Sequence, residues 1–206
     1  MAIGYRHVGV IGAMAEEVER LHRHLDAEIV TEDAGRTYRH GTLVGQRVTV
    51  VQSRIGKVAA ALTAASLIRD HDVDAIVFTG IAGARHDDLA IGDVVVASEL
   101  IQHDLAGPPD MFARGEIPLL GVVELPTDVA LTAAAVAAAR AFLDDGLGDV
   151  VTTAQLAALG IGRPSVHTGQ MATGDEFIEG DLKDLVRRRT PLAVCVDCRR
   201  AGGPSR

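Results

Sequence analysis

The sequence is poor in aromatic residues. It has no tryptophan, two tyrosines and four phenylalanines, which together make up 3% of the chain. Alanine, valine, leucine and glycine must therefore build the core, and this favours close packing of helices on sheets. Hydrophobic residues still fill 48% of the 206 positions, which excludes a disordered chain and is enough for one α/β domain with a real core.

Cysteine is scarce as well. The two cysteines, Cys195 and Cys198, form a single C-x-x-C pair. A zinc site needs a second pair or two histidines at ligand spacing, and the eight histidines do not show that spacing. A redox pair is typical of a helix start, whereas Cys195 falls inside a predicted strand. We therefore expect no metal site and no redox role for this pair.

Excess positive charge and membrane-length apolar runs are also lacking. The net charge is −8, which is the opposite of the basic track that nucleic-acid binding requires. The apolar run "HVGVIGAM" is too short to span a membrane, and an acidic helix follows it instead of a cleavage site. We expect no nucleic-acid partner, no membrane partner and a cytoplasmic location. The cations Arg187–Arg189 are interpreted as complementing a helix dipole.

Apolar strands alternate with helical patterns along the chain. Helices are predicted over 15–25, 56–70, 128–143 (capped by Thr127) and 181–189, and strands over 7–13, 36–43, 47–53, 75–80, 93–100, 165–173 and 192–196. Residues 103–125 are predicted to be irregular. Strands that are apolar throughout are covered on both faces. The pattern therefore predicts one domain over 1–197, with a three-layer α/β/α architecture around a central, largely parallel or mixed sheet.

Two carboxylates follow the first strand directly. Glu16 and Glu17 fall in the first helical turn, where they suit the helix dipole, and this is the structural alternative for both. Glu17 lies four residues before Leu21 and hence at the margin of the buried face, pointing toward the sheet end. A half-buried carboxylate at a strand end is a candidate general base.

Three other segments follow predicted strands. The Gly56–Lys57 turn does not match a phosphate loop, and "TGIAGA" does not match the dinucleotide-binding pattern, although its small residues allow a flat ligand to approach the backbone. Phe177 and Ile178 form an apolar pair in "TGDEFI". This pair is either a buried loop anchor or, at a ligand-binding sheet edge, a site where Phe177 stacks on a base.

Five segments, in order, resemble the 5′-methylthioadenosine/S-adenosylhomocysteine nucleosidase family of the purine nucleoside phosphorylase-like fold. They are "VGVIGAMAEEV", "SRIGKVAAA", "IVFTGIAGA", "IGDVVVASELIQHD" and "TGDEFI". The resemblance implies hydrolysis of the adenine–ribose bond in methionine salvage, without a metal or cofactor. It also implies a homodimer in which a loop of the partner closes the alkylthio pocket, and residues 103–118 resemble that loop.

The resemblance also assigns site residues. Glu17 matches the carboxylate that activates the attacking water. The matching substrate-binding positions are Met14, Ile55, Ala82, Gly83, Phe177, Ile178 and Val196, with Phe177 stacking on adenine. Ile81 departs from the family pattern, because some relatives carry serine there, and this removes a hydroxyl near the water.

The last residues depart from the family more strongly. Cys198 and Arg199 occupy positions where the family has Met and a ribose-binding Glu, and the family's general-acid Asp would come after residue 206. The resemblance therefore implies that the domain over 1–197 is incomplete at its C-terminus, lacking a strand and its covering helices. We expect 198–206 to be a divergent, disordered tail from a frameshift or altered gene end, and the missing strand to leave an apolar unpaired edge. Two alternatives stay open: a catalytically inactive nucleoside-binding remnant, and a related purine nucleoside phosphorylase. The acidic "AMAEE" segment argues against the phosphorylase.

Overall fold

The computed structural model describes residues 4–85, 88–108, 110–178 and 180–197. The chain forms two compact units, Met1–Ile81 and Ala82–Arg206, and each contains a five-stranded mixed sheet. The predicted α/β class with mixed sheets is confirmed, whereas the strands are divided between two sheets instead of one. The domain boundary at residue 197 stays a prediction. Cys198, Arg199 and the expected tail lie outside the described residues.

The first unit carries seven regular elements. They are β1 (Val8–Gly12), α1 (Ala15–His22), β2 (Asp26–Asp33), β3 (Arg36–Leu43), β4 (Gln46–Gln52), α2 (Lys57–Asp70) and β5 (Ala75–Phe78). The strand order is β2-β3-β4-β1-β5. β1 is parallel to β4 and β5, while β2, β3 and β4 form an antiparallel meander.

Both faces of the first sheet are covered. Val10 on one face of β1 packs in a cluster with Val18 of α1. Ile11 on the other face packs with Val51 of β4 and Leu67 of α2. The alternation of side chains along a strand explains this division, since neighbouring residues point to opposite faces. The unit therefore has one helix on each side of its sheet.

One strand of the first unit was not predicted. β2 has the sequence DAEIVTED, and all of its residues are exposed. Its acidic residues gave it the composition of a loop, although charge on an edge strand is a common protection against edge-to-edge association. α1 also ends at His22, three residues before the predicted end at 25.

The second unit also combines strands with helices. Its strands and α-helices are β6 (Gly83–Ala84), β7 (Val94–Gln102), β8 (Leu125–Pro126), α3 (Val129–Ala141), α4 (Thr153–Ala158), β9 (Val166–Thr173), α5 (Leu182–Arg189) and β10 (Ala193–Val196). A π-helical turn (Phe142–Gly146) and a 3-10 turn (Leu147–Asp149) follow α3. The order is β6-β10-β9-β7-β8. β9 is parallel to β7 and β10. The core of the second unit includes Ile101, Ala172 and Val186.

The predicted cap of α3 is wrong. Asp128 is the N-cap, and its side chain accepts a hydrogen bond from Leu131 N. The Thr127 hydroxyl lies 2.8 Å from that of Thr132 and donates to backbone oxygens of β7 at 3.0 Å. Both residue types cap helices well, so the sequence did not distinguish them. Between residue 103 and β8, the described residues are irregular, as expected.

Two further observations concern membranes and metals. Within the described ranges, no helix combines the length and apolar character needed to cross a bilayer. The same residues contain no cluster of three or more metal-ligating side chains.

Cys195 is a buried free cysteine in β10. Burial, followed by the charge of Asp197, raises the pKa of its thiol to about 11, so this thiol remains protonated near neutral pH.

Candidate active site

Parallel pairing brings three strand ends to one edge of the first sheet. β1 pairs in parallel with β4 on one side and β5 on the other. Ser53 N, after β4, donates to Gly12 O at 2.8 Å, and Thr79 N, after β5, donates to Ile11 O at 2.8 Å. This is the carboxyl edge, where open α/β sheets bind ligands.

Glu17 lies at this edge, and backbone amides fix its carboxylate. Its Oε2 accepts hydrogen bonds from Ala13 N at 2.7 Å and Met14 N at 2.9 Å. Its Oε1 accepts one from Ile81 N at 3.0 Å. The first two bonds satisfy amides at the start of α1 that have no partner inside the helix. The third ties the carboxylate to the loop after β5.

Two glycines make room for this carboxylate. A Cβ atom at Gly80 would lie 2.9 Å from Glu17 Oε1, and one at Gly12 would lie 2.7 Å from Val18 Cγ1 and 3.0 Å from Glu17 Cβ. Such distances are shorter than carbon and oxygen atoms tolerate. The group that approaches the backbone at Gly80 is therefore Glu17 itself, and the approach of a flat ligand to "TGIAGA" stays a prediction.

With the donors that the described residues supply, the carboxylate of Glu17 retains capacity for one more. An ionised carboxylate offers about four acceptor positions, and three are occupied by Ala13, Met14 and Ile81. The open position is on Oε1, where a water molecule can bind. Glu16 is exposed in the same helical turn. The structure therefore distinguishes the two acidic residues: backbone amides fix the carboxylate of Glu17, whereas Glu16 is exposed. A carboxylate positioned in this way has the geometry expected of a candidate general base.

Two predicted substrate-binding residues lie in the same unit. Met14 is the N-cap of α1 and is half-buried. Ile55 lies in the loop between β4 and α2 with 49% of its surface exposed. Gly56, the N-cap of α2, has a φ of 104°, which favours glycine at this turn. Met14, Glu17 and Ile55 thus follow strand ends on one edge of the sheet.

The other predicted positions lie in the second unit. Gly83 is the antiparallel partner of Val196. Val196 is 2% exposed and packs in the core, so its side chain supports the sheet. Ala82 is exposed immediately before β6.

Phe177 and Ile178 differ in exposure, and this bears on whether the pair is a buried loop anchor or a stacking site. Ile178 is 2% exposed and belongs to the same hydrophobic cluster as Val196, so it is the anchor. Phe177 is 52% exposed, and its ring is therefore accessible to a flat partner. Stacking of Phe177 on a base stays a prediction, and the exposure of its ring leaves room for that contact.

Sequence reasoning missed a row of carboxylates in the second unit. β7, β9 and β10 are parallel neighbours, so the residues after them share one edge. Asp104, Asp175 and Asp197 follow these strands. Asp104 Oδ2 accepts from Asp175 N at 2.8 Å, and Asp197 Oδ2 accepts from the Thr173 hydroxyl at 3.4 Å. The strand ends were visible in the sequence, but their convergence depends on the pairing.

Comparison with known proteins gives a consistent result. The model of the phosphorylase superfamily matches residues 7–198. A 5′-methylthioadenosine/S-adenosylhomocysteine nucleosidase of Chromohalobacter salexigens is 34% identical over 193 residues, covering 93% of this chain and 74% of the relative. One from Shewanella piezotolerans is 37% identical over 185 residues, covering 90% and 70%.

Solved structures agree with these relatives. The nucleosidase of Colwellia psychrerythraea in complex with adenine is 33% identical, with a TM-score of 0.78 over 95% of this chain and 73% of that one. The nucleosidase of Neisseria meningitidis in complex with methylthio-immucillin-A is 29% identical, with a TM-score of 0.80 over 95% and 77%. The chain therefore belongs to the phosphorylase superfamily and, within it, to the 5′-methylthioadenosine/S-adenosylhomocysteine nucleosidase family.

Proposed function

We propose that this chain binds 5′-methylthioadenosine and S-adenosylhomocysteine and hydrolyses their N-glycosidic bond, releasing adenine and a thioribose sugar. The observation that carries the proposal is the position of Glu17, fixed by three backbone amides with one acceptor position open. The relatives of this chain are named for the same two substrates, and solved structures of two related nucleosidases contain adenine and methylthio-immucillin-A.

In the proposed reaction, Glu17 orients a water molecule at Oε1 and accepts its proton. The water oxygen forms a bond to the anomeric carbon of ribose while the bond from that carbon to adenine breaks. The bonding electrons leave with the base, which takes up a proton on its ring. Positive charge develops on the sugar in the transition state, as in other glycoside hydrolysis. A positioned general base of this kind contributes about 10²–10⁴-fold in rate.

We infer that the substrate is held by the remaining predicted residues. Phe177 stacks on adenine, since its ring is 52% exposed, and one such contact contributes about 1–3 kcal/mol. Met14 and Ile55 supply apolar contacts near the ribose and alkylthio group. Ala82 and Gly83 allow the nucleoside to lie close to the backbone. Ile178 and Val196 contribute as anchors beneath these surfaces.

We also infer a homodimer that works in the cytoplasm. Val58 and Leu62 lie one turn apart on α2 and are 72% and 59% exposed, which is typical of an apolar surface covered by a partner. The free thiol of Cys195 is compatible with a reducing compartment. Sedimentation should give twice the 21.6 kDa chain mass. Leu62→Asp should give monomers, whereas Leu159→Asp, at another exposed leucine, should not.

A second candidate is nucleoside binding without turnover. It is favoured by Arg199, which by the resemblance stands where the family has its ribose-binding glutamate and which lies outside the described residues. A missing carboxylate at the ribose would remove an interaction that strengthens in the transition state. Binding of the base by Phe177 does not depend on that carboxylate.

The test is adenine release from 5′-methylthioadenosine by the 206-residue chain in phosphate-free buffer, with calorimetric binding of methylthio-immucillin-A measured in parallel. We expect both release and binding. Tight binding without release would favour the second candidate. Release only after phosphate is added, with a sugar phosphate as product, would point to a phosphorylase. Absence of both release and binding would contradict the proposal.

A further inference from the structure

A small cavity in the second unit is lined by cationic side chains. It has a volume of about 200 Å³. Among the described residues, its charged lining consists of Arg85, Lys183 and Arg187, and its apolar lining includes Ile178, Val186 and Val196. None of the three cations was predicted as a site residue, and none belongs to the group around Glu17. A liquid water molecule takes about 30 Å³, so the cavity has room for a small ion together with water.

Arg85 is the buried member of the three. Its side chain follows β6 and is 8% exposed. Nη1 donates a hydrogen bond to the Thr190 hydroxyl. Nε is fully buried and has no hydrogen-bond partner in the part of the chain that the structure describes. Buried arginines are normally paired with carboxylates or fully hydrogen-bonded, so this guanidinium is incompletely satisfied.

The charges of the described residues around Arg85 do not compensate it. Burial lowers the pKa of its guanidinium, and the nearby charge of Arg187 lowers it further. The compensating effect comes from Cys195, whose thiol has a pKa of about 11 and carries little charge near neutral pH. Among the described residues, no carboxylate contributes to the pKa of Arg85. An anion in the cavity would provide the missing compensation.

The two other cations come from a single face of α5. Lys183 and Arg187 are four residues apart in Leu182–Arg189, so they lie one above the other. Like charges at this spacing repel each other, and Lys183 is also close to the positive end of the helix dipole. Arg188 lies on the same helix but does not line the cavity. Arg189 Nη1 donates to Glu176 Oε2 at 3.4 Å.

We propose that Arg85, Lys183 and Arg187 form a binding site for a small tetrahedral oxyanion, either inorganic phosphate or the phosphate group of a small ester. A guanidinium donates to such an oxygen pair in a fork geometry, and a lysine ammonium acts as a point charge. The apolar side chains at the cavity wall lower the local dielectric and strengthen these interactions. The site binds without making or breaking a covalent bond.

The test is isothermal titration calorimetry on the whole chain, with inorganic phosphate and ribose 5-phosphate as probes and sodium chloride holding the ionic strength constant. We expect Kd to increase about tenfold or more for Lys183→Gln and for Arg187→Gln, since each loses a charge-assisted hydrogen bond. Arg188→Gln is the matched control and should leave Kd unchanged. Arg85→Gln should abolish binding. The circular dichroism spectrum of Arg85→Gln shows whether this variant folds. Because Lys183 is exposed, Lys183→Gln tests the site independently of whether Arg85→Gln folds.

The two probes distinguish the sources of the anion. Tighter binding of inorganic phosphate indicates a free ion, and tighter binding of ribose 5-phosphate indicates a phosphorylated metabolite. Either result supports the site if Lys183→Gln weakens binding and Arg188→Gln does not. The proposal is overturned if neither probe binds, or if Lys183→Gln and its control Arg188→Gln have equal effects on Kd. These titrations contain no nucleoside, so their outcome is independent of adenine release.

Discussion

Ile81 N donates a hydrogen bond to Glu17 Oε1 at 3.0 Å, joining residues that are 64 positions apart. The bond connects the start of α1 with the loop after β5, and it fixes the oxygen that still has room for a water molecule. Gly80 precedes Ile81, and its lack of a side chain allows this contact. The position of the carboxylate therefore depends on a backbone segment that carries no chemistry of its own.

Gly80→Ala should impair catalysis by displacing the carboxylate. The added methyl carbon would lie 2.9 Å from Glu17 Oε1 and 3.2 Å from Glu17 Cδ. A misplacement of about 1 Å in a catalytic group can cost about 10²-fold in rate. We expect kcat/KM for 5′-methylthioadenosine to fall by about that factor. Gly148→Ala is the control, because a methyl group there meets no atom within 4 Å. Equal kcat/KM values for the two variants would show that the geometry at Gly80 is unimportant.

Phe177 and Ile178 should respond differently to truncation. Phe177→Ala removes an exposed ring, so stability should change by less than about 0.5 kcal/mol. The affinity for methylthio-immucillin-A should fall, since a base–aromatic contact contributes about 1–3 kcal/mol. Ile178→Ala removes a side chain that is 2% exposed and should destabilise the fold by about 2–5 kcal/mol. Denaturation and calorimetry on both variants measure these effects. Unchanged affinity in Phe177→Ala would exclude stacking on the base.

A partly buried histidine network in the first unit should make stability depend on pH. The Thr49 hydroxyl lies 2.8 Å from His7 Nε2 and 2.9 Å from His40 Nδ1, while His40 Nε2 lies 2.8 Å from the Thr31 hydroxyl. The ring centroid of His71 is 5.0 Å from that of His40. Burial lowers the pKa of His40, followed by the charges of His71, His7 and Arg47. Burial and Arg47 lower the pKa of His7, while Asp72 and Asp74 partly oppose this.

The direction of the pH effect follows from these lowered pKa values. The unfolded chain binds protons at a histidine pKa of about 6.5, whereas the folded network binds them only at lower pH. The unfolded state thus holds more protons below about pH 6.5, and the free energy of unfolding falls as the pH decreases through this range. Aspartates titrate at lower pH, so the window between about 5.5 and 7.5 reports on histidine.

Urea denaturation at pH 5.5 and 7.5 tests the network. We expect lower stability at pH 5.5 and a smaller difference in His40→Gln, which keeps a hydrogen-bonding group but cannot titrate. His24→Gln, at an exposed histidine in the turn after α1, is the control and should keep the full difference. A pH difference that is the same in all three proteins would exclude His40 as its source.

The structural features that could be predicted are those that depend on residues close together in the sequence. The apolar run of β1 followed by the acidic turn identified both the strand end and Glu17, because a helix margin constrains where a side chain points. Ile178 and Phe177 were recognised as a pair, but only the packing showed which one is the anchor. Asp128 and Thr127 are both good caps, so their order could not be derived from propensity.

The features that were missed depend on long-range pairing or on burial. β2 contains the charges expected of a loop, and its strand conformation comes from pairing with β3. Asp104 and Asp197 share an edge because β7 and β10 both pair with β9. Arg85 was not predicted as a site residue, because arginine is almost never fully buried. Nothing in the adjacent sequence indicates that its side chain is buried in the second unit.

The most direct test of the central claim compares Glu17→Gln with Glu16→Gln in adenine release from 5′-methylthioadenosine. The two residues are adjacent in the same helical turn, and both substitutions remove one carboxylate. The account predicts that Glu17→Gln lowers kcat by about 10²–10⁴-fold and that Glu16→Gln retains the activity of the unmodified chain. Equal activity of the two variants would contradict the assignment of Glu17 as the residue that activates water.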